Sequence, residues 1–347
     1  MDAGLSARAA VDGAFGRGTV LFLQMAGVVV GRYRLEKFPA RATFMFSHGP
    51  LLGIALKLAA TLAFSVMALL IKLLGERYSA GQLVFFRSAF AMLPIFGFLY
   101  WSGLTWRSLA TQRLGAHALR SGAGTSAMVF GFAGLVLLPL ADATAIGFAA
   151  PMITVVLAVL LLGERVQIYR WAAVTAGFGG VVLMLIPHLG QGSQSLLGAV
   201  FCLLGAVSAA FAMIFLRRMS APGNGQEPSV VIAFYFQLTA ATLGLVSLPF
   251  VWVTPGWSDL GVLVMVGLFG GLGQLLMTQA HVYAPASTIA TFDYAAMLWA
   301  LIFGWLFLSE WPQAIVFIGA AIVIAAGLFI VWREHRLGIE AQRPTLT

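Results

Sequence analysis

Apolar residues fill ten stretches of the chain, at 51–74, 81–101, 117–138, 143–162, 170–187, 195–216, 229–253, 259–281, 287–308 and 312–332. Short polar turns separate most of them. Crossing a bilayer core takes about 20 apolar helical residues, so each stretch is predicted to be a membrane span. Each must be helical, because an open strand edge in lipid would leave backbone groups without partners. Within this pattern, spans 3 and 8 carry small or polar residues at 4-3-4-3 spacing, which places them on one helical face. On span 3 these are Arg120, Gly124, Ala127, Gly131 and Gly134; on span 8 they are Gly267, Gly271, Gln274, Thr278 and His281. Small residues let helices approach closely in lipid, whereas Gln274 and Thr278 either face a cavity or serve helix packing. His281 reads as a membrane-boundary residue.

The pattern recurs. At an offset of 146, Pro139 falls on Pro285, Ala149 and Ala150 on Ala295 and Ala296, and Glu164 on Glu310. At an offset of 145, LLG at 51–53 meets LLG at 196–198 and Lys72 meets Arg217. Duplication within a membrane chain is the usual construction of a secondary transporter, with the substrate site between the repeats. The organisation predicted is a leader at 1–49, a first repeat at 50–187, a second at 194–333 and a tail at 334–347. The leader reads as disordered or mis-started, with Met45 as the working start, or as a surface-lying anchor.

Composition supports the membrane reading. Hydrophobic residues make up 61% of the chain and charged ones 9%, against about 25% charged in soluble domains. The single cysteine, Cys202, excludes an intrachain disulfide. No nucleic-acid motif and no ATP-binding GxxxxGK[ST] occurs, and no metal or cofactor is expected. Arg32, Arg34, Lys37, Arg41, Arg107, Arg113, Arg165, Arg170, Arg217, Arg218, Arg333, Arg336 and Arg343 fall on one side of the predicted topology, against Arg77 and the nearby Lys72 on the other. The positive-inside rule then puts both termini in the cytoplasm. Five spans per repeat is an odd number, so the two halves must be inverted relative to each other.

LLLGERV (160–166), RWAAVTAGFGGVVLML (170–185), FLSEWP (307–312) and GAAIVIAAGLFIV (319–331) resemble the EamA family of the drug/metabolite transporter superfamily. GGLGQLLMTQAHVYAPASTIATFDYAAMLWA (270–300) looks closest to its S-adenosylmethionine-uptake-like and riboflavin-carrier-like branch. The resemblance covers about 51–333. It implies an all-α integral membrane fold of ten helices in two inverted repeats, with both ends cytoplasmic and alternating access around a central cavity. That cavity would be lined by helices 1, 3, 4, 6, 8 and 9, with 5 and 10 peripheral. Gln279 stands where this branch often carries a basic residue.

The repeat also sorts candidates. Matched residues such as Glu164, Glu310, Pro139 and Pro285 read as scaffold, the two glutamates as caps, structural acceptors or gates. Polar residues present in one half only are candidates for a site. Asp293 faces Gly147 in the repeat and lies six residues inside predicted span 9, about 9 Å deep at the helical rise. An ionised carboxylate there costs about 2.5–3.5 kcal/mol on insertion scales, so it needs a cavity, a cation or a proton. Arg120 is its expected partner, with snorkelling as the alternative; Lys57 is expected to snorkel. Arg87 sits deep in span 2 and matches Gln237 by local pattern, FFR against YFQ; it holds the helix or binds an anionic group. Tyr294 and Trp299 pack or sandwich a flat substrate. Pro151 is expected to kink span 4 without a counterpart in span 9, where Met297 stands.

The expected function is secondary transport of a small organic metabolite (S-adenosylmethionine-like, amino-acid-like or another cofactor-type compound) across the bacterial inner membrane. Rivals are a membrane-embedded enzyme, which would need an acid/base cluster at one depth, and a pore, which would need a charged ring or filter. The partners expected are a small-molecule substrate, the lipid bilayer and no nucleic acid. Glycines on spans 5 and 10 offer a face for a homodimer.

Overall fold

The computed structural model describes residues 49–101, 106–163, 166–190, 192–220, 227–283 and 291–341. The leader at 1–48, Glu164 and Pro285 lie outside the described residues. No strand occurs among the described residues. The first half holds α1 (Gly49–Leu74), α2 (Ala80–Trp101), α3 (Leu114–Leu137), α4 and α5 (Ile168–Gly190). The second holds α6 (Ser193–Ser220), α7 (Ser229–Val251), α8 (Trp257–Tyr283), α9 (Ala295–Leu308) and α10 (Ala314–Ala341).

Eight of these segments are long and apolar enough to cross a membrane, α4 counted as one. The two expected spans that fall short do so for different reasons. α3 is long enough at 24 residues but is diluted by Arg120, His117, Ser121, Thr125 and five glycines; its polar face is covered by other helices, so it does not need lipid-soluble side chains. For span 9, residues 287–290 lie outside the described residues; the described part opens on a 3-10 turn, Thr291–Tyr294, so that Asp293 lies ahead of α9 rather than within it.

Packing follows a pseudo-twofold. α1 lies along α8 and α3 along α6, and exchanging the halves turns one contact into the other. α2 packs on α7, α5 on α10, and the first part of α4 on α9, so each meets its own repeat counterpart. The chain is thus two repeats of five helices, folded around one another in opposite senses.

Close helix approaches occur at small residues of the predicted stripes. A Cβ on Gly134 would stand 2.5 Å from Cys202 Sγ and 2.8 Å from the Gly198 carbonyl of α6. One on Gly271 would stand 2.9 Å from Pro94 of α2. The glycines of α5 and α10 face each other: a Cβ on Gly180 would stand 2.7 Å from the Gly319 carbonyl. Gly180 and Gly319 therefore serve packing within the chain.

The α4 helix is the largest departure from expectation. It breaks at Phe148 into α4a (Leu140–Gly147) and α4b (Ala149–Leu162). Pro151 sits in the first turn of α4b, where an N–H has no intrahelical partner to lose, and its side chain is exposed. The break is also symmetric, contrary to the reading from Met297. Tyr294, the residue 146 positions after Phe148, ends the 3-10 turn and starts α9 with nearly the same backbone angles (φ −66°, ψ −14° against φ −67°, ψ −3°). The two rings meet, with centroids 5.1 Å apart.

The C-terminal ends match as well. Gly163 (φ 67°) and Ser309 (φ 53°) are both left-handed caps, with backbone N–H groups bonded to Ala158 O and Gly304 O. Serine there accepts a conformation that glycine adopts without a steric penalty.

Large apolar side chains cover the outside, including Trp257 (91% exposed) and Phe250 (86% exposed). That surface suits lipid and not water.

Candidate functional site

Two clusters tie the halves together at the end of the bundle where α1 finishes. Lys72 Nζ lies 3.1 Å from Glu310 Oε1 and donates to the carbonyls of Leu135 and Leu138. The other oxygen of Glu310 accepts the Leu140 backbone N–H at 2.7 Å, one of the orphan donors of a helix start. That N–H is free to point at Glu310 because Pro139 directs the chain into α4a with φ −51° and ψ 144°. Close by, Asp259 at the start of α8 accepts Tyr78 Oη at 2.8 Å and pairs with Arg77 at 3.1 Å. Burial and the bond to Asp259 push the Tyr78 phenol above its ordinary pKa, so it stays a neutral donor.

Nearer the opposite end, a cavity opens between α2, α7 and α8. Ala91, Ile95, Gln237, Gly271, Gln274 and Thr278 are among its lining residues. Its volume is about 30 Å³, which holds roughly two waters at about 10–15 Å³ each. Thr278 turns its hydroxyl to its own helix, donating to the Gln274 carbonyl at 2.8 Å. Gln274 and Thr278 thus meet at one wall, as their spacing implies.

Arg87 reaches the same cavity through Gln237. Its Nη1 donates to Gln237 Oε1 at 2.7 Å and approaches Met128 Sδ at 3.6 Å. The pair is buried, at 5% and 1% exposure. These are the two residues aligned by FFR and YFQ, so repeat counterparts meet here as they do at Phe148 and Tyr294. A symmetric pair of arginines would repel; an Arg beside a Gln gives a hydrogen bond and leaves one net charge.

Arg120 does not reach Asp293. Its guanidinium lies over the Phe236 ring, 4.1 Å from the centroid, and Arg87 stands 5.8 Å from the same ring. Gly124, one turn along α3, makes room for that ring: a Cβ there would stand 2.8 Å from Phe236. Arg87 Nε and Arg120 Nε and Nη1 are buried without a hydrogen-bond partner.

Asp293 pairs instead with Lys57, Nζ to Oδ1 at 2.5 Å. The lysine is 3% exposed and the carboxylate 50%, so Lys57 is held inside the protein and does not snorkel. It could not have been paired from depth alone, because the 3-10 turn shifts Asp293 out of the helical register that suggested Arg120. Trp299 Nε1 donates to Thr61 Oγ1 of α1 at 3.2 Å. Tyr294 points toward α10, where its hydroxyl occupies the space a Cβ on Gly327 would take. Neither aromatic lines the cavity.

Histidine pairs that sequence inspection missed are also present. His188 Nδ1 lies 2.7 Å from Ser195 Oγ and its Nε2 3.4 Å from Asp142 Oδ2. His117 Nε2 lies 3.6 Å from Glu227, which also accepts Thr111 Oγ1 at 2.6 Å. Both rings are buried, at 1% and 2% exposure. His188 thus joins Asp142 of α4a to Ser195 of α6 through the two nitrogens of its ring, with Asp142 on Nε2 and Ser195 on Nδ1, the reverse of a hydrolytic triad. No group of three metal-ligating side chains occurs among the described residues.

Comparison with known proteins agrees with this architecture. The profile of the EamA-like transporter family matches residues 51–186 and again 196–332. The pseudopaline exporter CntI of Pseudomonas aeruginosa is 32% identical over 279 residues, covering 79% of this chain and 94% of the exporter. An S-adenosylmethionine uptake transporter of Rickettsia felis is 28% identical over 286 residues, covering 82% and 94%. One solved crystal structure superposes with a TM-score of 0.59 at 20% identity, over 84% of this chain and 99% of that one.

Proposed function

The chain belongs to the EamA-like transporter family, a multi-pass membrane transporter of small metabolites, and from that premise we propose that its substrate binds in the cleft bounded by α2, α3, α7 and α8. The Arg87–Gln237 hydrogen bond carries this reading. It crosses the pseudo-dyad, borders the cavity and is a place where the two repeats differ in charge. Gln274 and Thr278 would contact the substrate, with Arg120 at the α3 side.

Transport then proceeds by alternating access. The Lys72–Glu310 cluster closes one end; the cavity of about 30 Å³ widens as the repeats rock and the other end opens. Loop charge supports the inner membrane of a bacterium, both termini in the cytoplasm and the Lys72–Glu310 cluster on the outer side. Lys57–Asp293 would then lie near the cytoplasmic mouth, where a half-exposed carboxylate can exchange its lysine for a proton or a cationic group. The relatives' names point to a metabolite such as S-adenosylmethionine or pseudopaline, and they name both uptake and export.

Counterflow in proteoliposomes tests the reading. Vesicles loaded with unlabelled S-adenosylmethionine should accumulate the labelled compound transiently and saturably. Flux that never saturates would make the protein a pore, and a covalent product would make it an enzyme. Asp293→Asn should shift the pH dependence or the substrate affinity; if both stay put, the residue leaves the mechanism.

A further inference from the structure

We infer that the cleft is built to receive a carboxylate, with Arg87 and Arg120 forming the anion-binding half of the site and the transported molecule supplying the counter-charge. The inference rests on the cleft being the transport site and adds the chemical class of its cargo.

Charge accounting leads to it. Among the described residues, Asp293 pairs with Lys57, Glu310 with Lys72, Asp259 with Arg77, Glu227 with His117 and Asp142 with His188. None of these carboxylates reaches Arg87 or Arg120. Glu227, at the same end of the bundle as Arg120, is occupied by Thr111 and His117. Two guanidinium groups therefore share one aromatic ring with no anion between them.

Burying a cation without an acceptor is among the most unfavourable arrangements in a protein interior. The face of Phe236 offsets part of that cost through cation–π attraction, but a ring face cannot accept hydrogen bonds from three in-plane N–H directions. Those of Arg87 Nε, Arg120 Nε and Arg120 Nη1 stay open. Gln237 Nε2, on the cavity wall, is a fourth buried donor without a partner, and Gln279 Oε1, also on that wall, is an acceptor without one. A planar, two-oxygen acceptor is what a guanidinium fork binds best, and the orphaned Gln279 oxygen would take an N–H from the same molecule. The set describes an amino-acid-like end group.

The test uses the purified full chain in detergent and reads thermal unfolding against ligand concentration. The probes are S-adenosylmethionine with its decarboxylated form, L-methionine with its methyl ester, and inorganic phosphate. At least one acid should raise the unfolding temperature, and removing its carboxylate should weaken binding roughly 10- to 100-fold, the size of a lost charge-assisted hydrogen bond. In Arg120→Gln the acid and its carboxylate-free partner should bind alike, and Arg120→Lys, which keeps the charge and loses the fork, should fall between. Equal binding of the two forms by the unaltered protein would overturn the inference, as would silence with every acid or a response to phosphate alone. Saturable counterflow of a neutral or cationic compound that survives Arg120→Gln would remove the carboxylate while leaving the carrier standing.

Discussion

Two ends of one bundle solve the problem of a charge in lipid in opposite ways. Where α1 finishes, Lys72 meets a carboxylate and two carbonyls, and the carboxylate in turn caps α4a. Nearer the other end, Arg87 and Arg120 lie against Phe236 and a neutral glutamine, with nitrogens left unpartnered. The first arrangement is complete without a ligand and has matched residues in the other repeat. The second is incomplete, and at Arg87 the other repeat supplies a neutral Gln237 in place of a second charge. Completeness marks scaffold, and an unfilled donor set marks the place where something else must bind.

Removing a charge should therefore have opposite effects at the two ends. Lys72→Met leaves Glu310 without its cation and should lower stability by about 3–5 kcal/mol, the cost of breaking a buried pair, read as a fall in unfolding temperature in detergent. A second substitution probes the dyad itself. Gly327→Ala drives a methyl into the Tyr294 hydroxyl and should cost about 1–3 kcal/mol, as overpacking does, by the same measurement. Arg120→Met should act in the reverse direction, with the ligand-free protein gaining about 1 kcal/mol by losing an unpaired buried charge while counterflow is abolished. A loss of stability there would mean the guanidinium is a structural part like Lys72, and the contrast between the ends would fail. The smallest effect belongs to Trp299→Phe, which removes the bond to Thr61 and should cost about 0.5–1.5 kcal/mol with transport retained.

Sorting by repeat, which needs only the chain, separated these groups in part. Glu310 was legible as matched scaffold and Lys72 as the counterpart of Arg217, Arg87 as a charge matched by the neutral Gln237, and Gln274 and Thr278 as polar members of a one-faced stripe. Asp293 was found as a site candidate but given the wrong cation. The error has a physical source: Thr291–Tyr294 is a 3-10 turn, so a depth counted along an ideal α-helix misplaces the carboxylate. Pro151 misled for a related reason. Proline breaks a helix interior but is harmless in a first turn, and the real discontinuity at Phe148 carries no proline at all. The His188–Asp142 and His117–Glu227 pairs join residues 46 and 110 positions apart; no local spacing announces such a contact.

Periodicity and duplication alone established the solvent, the helices and the opposed halves, because a chain in lipid has few ways to satisfy its backbone and an odd repeat has one way to close. Which cation meets which carboxylate was decided only by packing. Side-chain reach across a dyad depends on helix rotation and on turns of one or two residues, and neither leaves a mark in hydropathy.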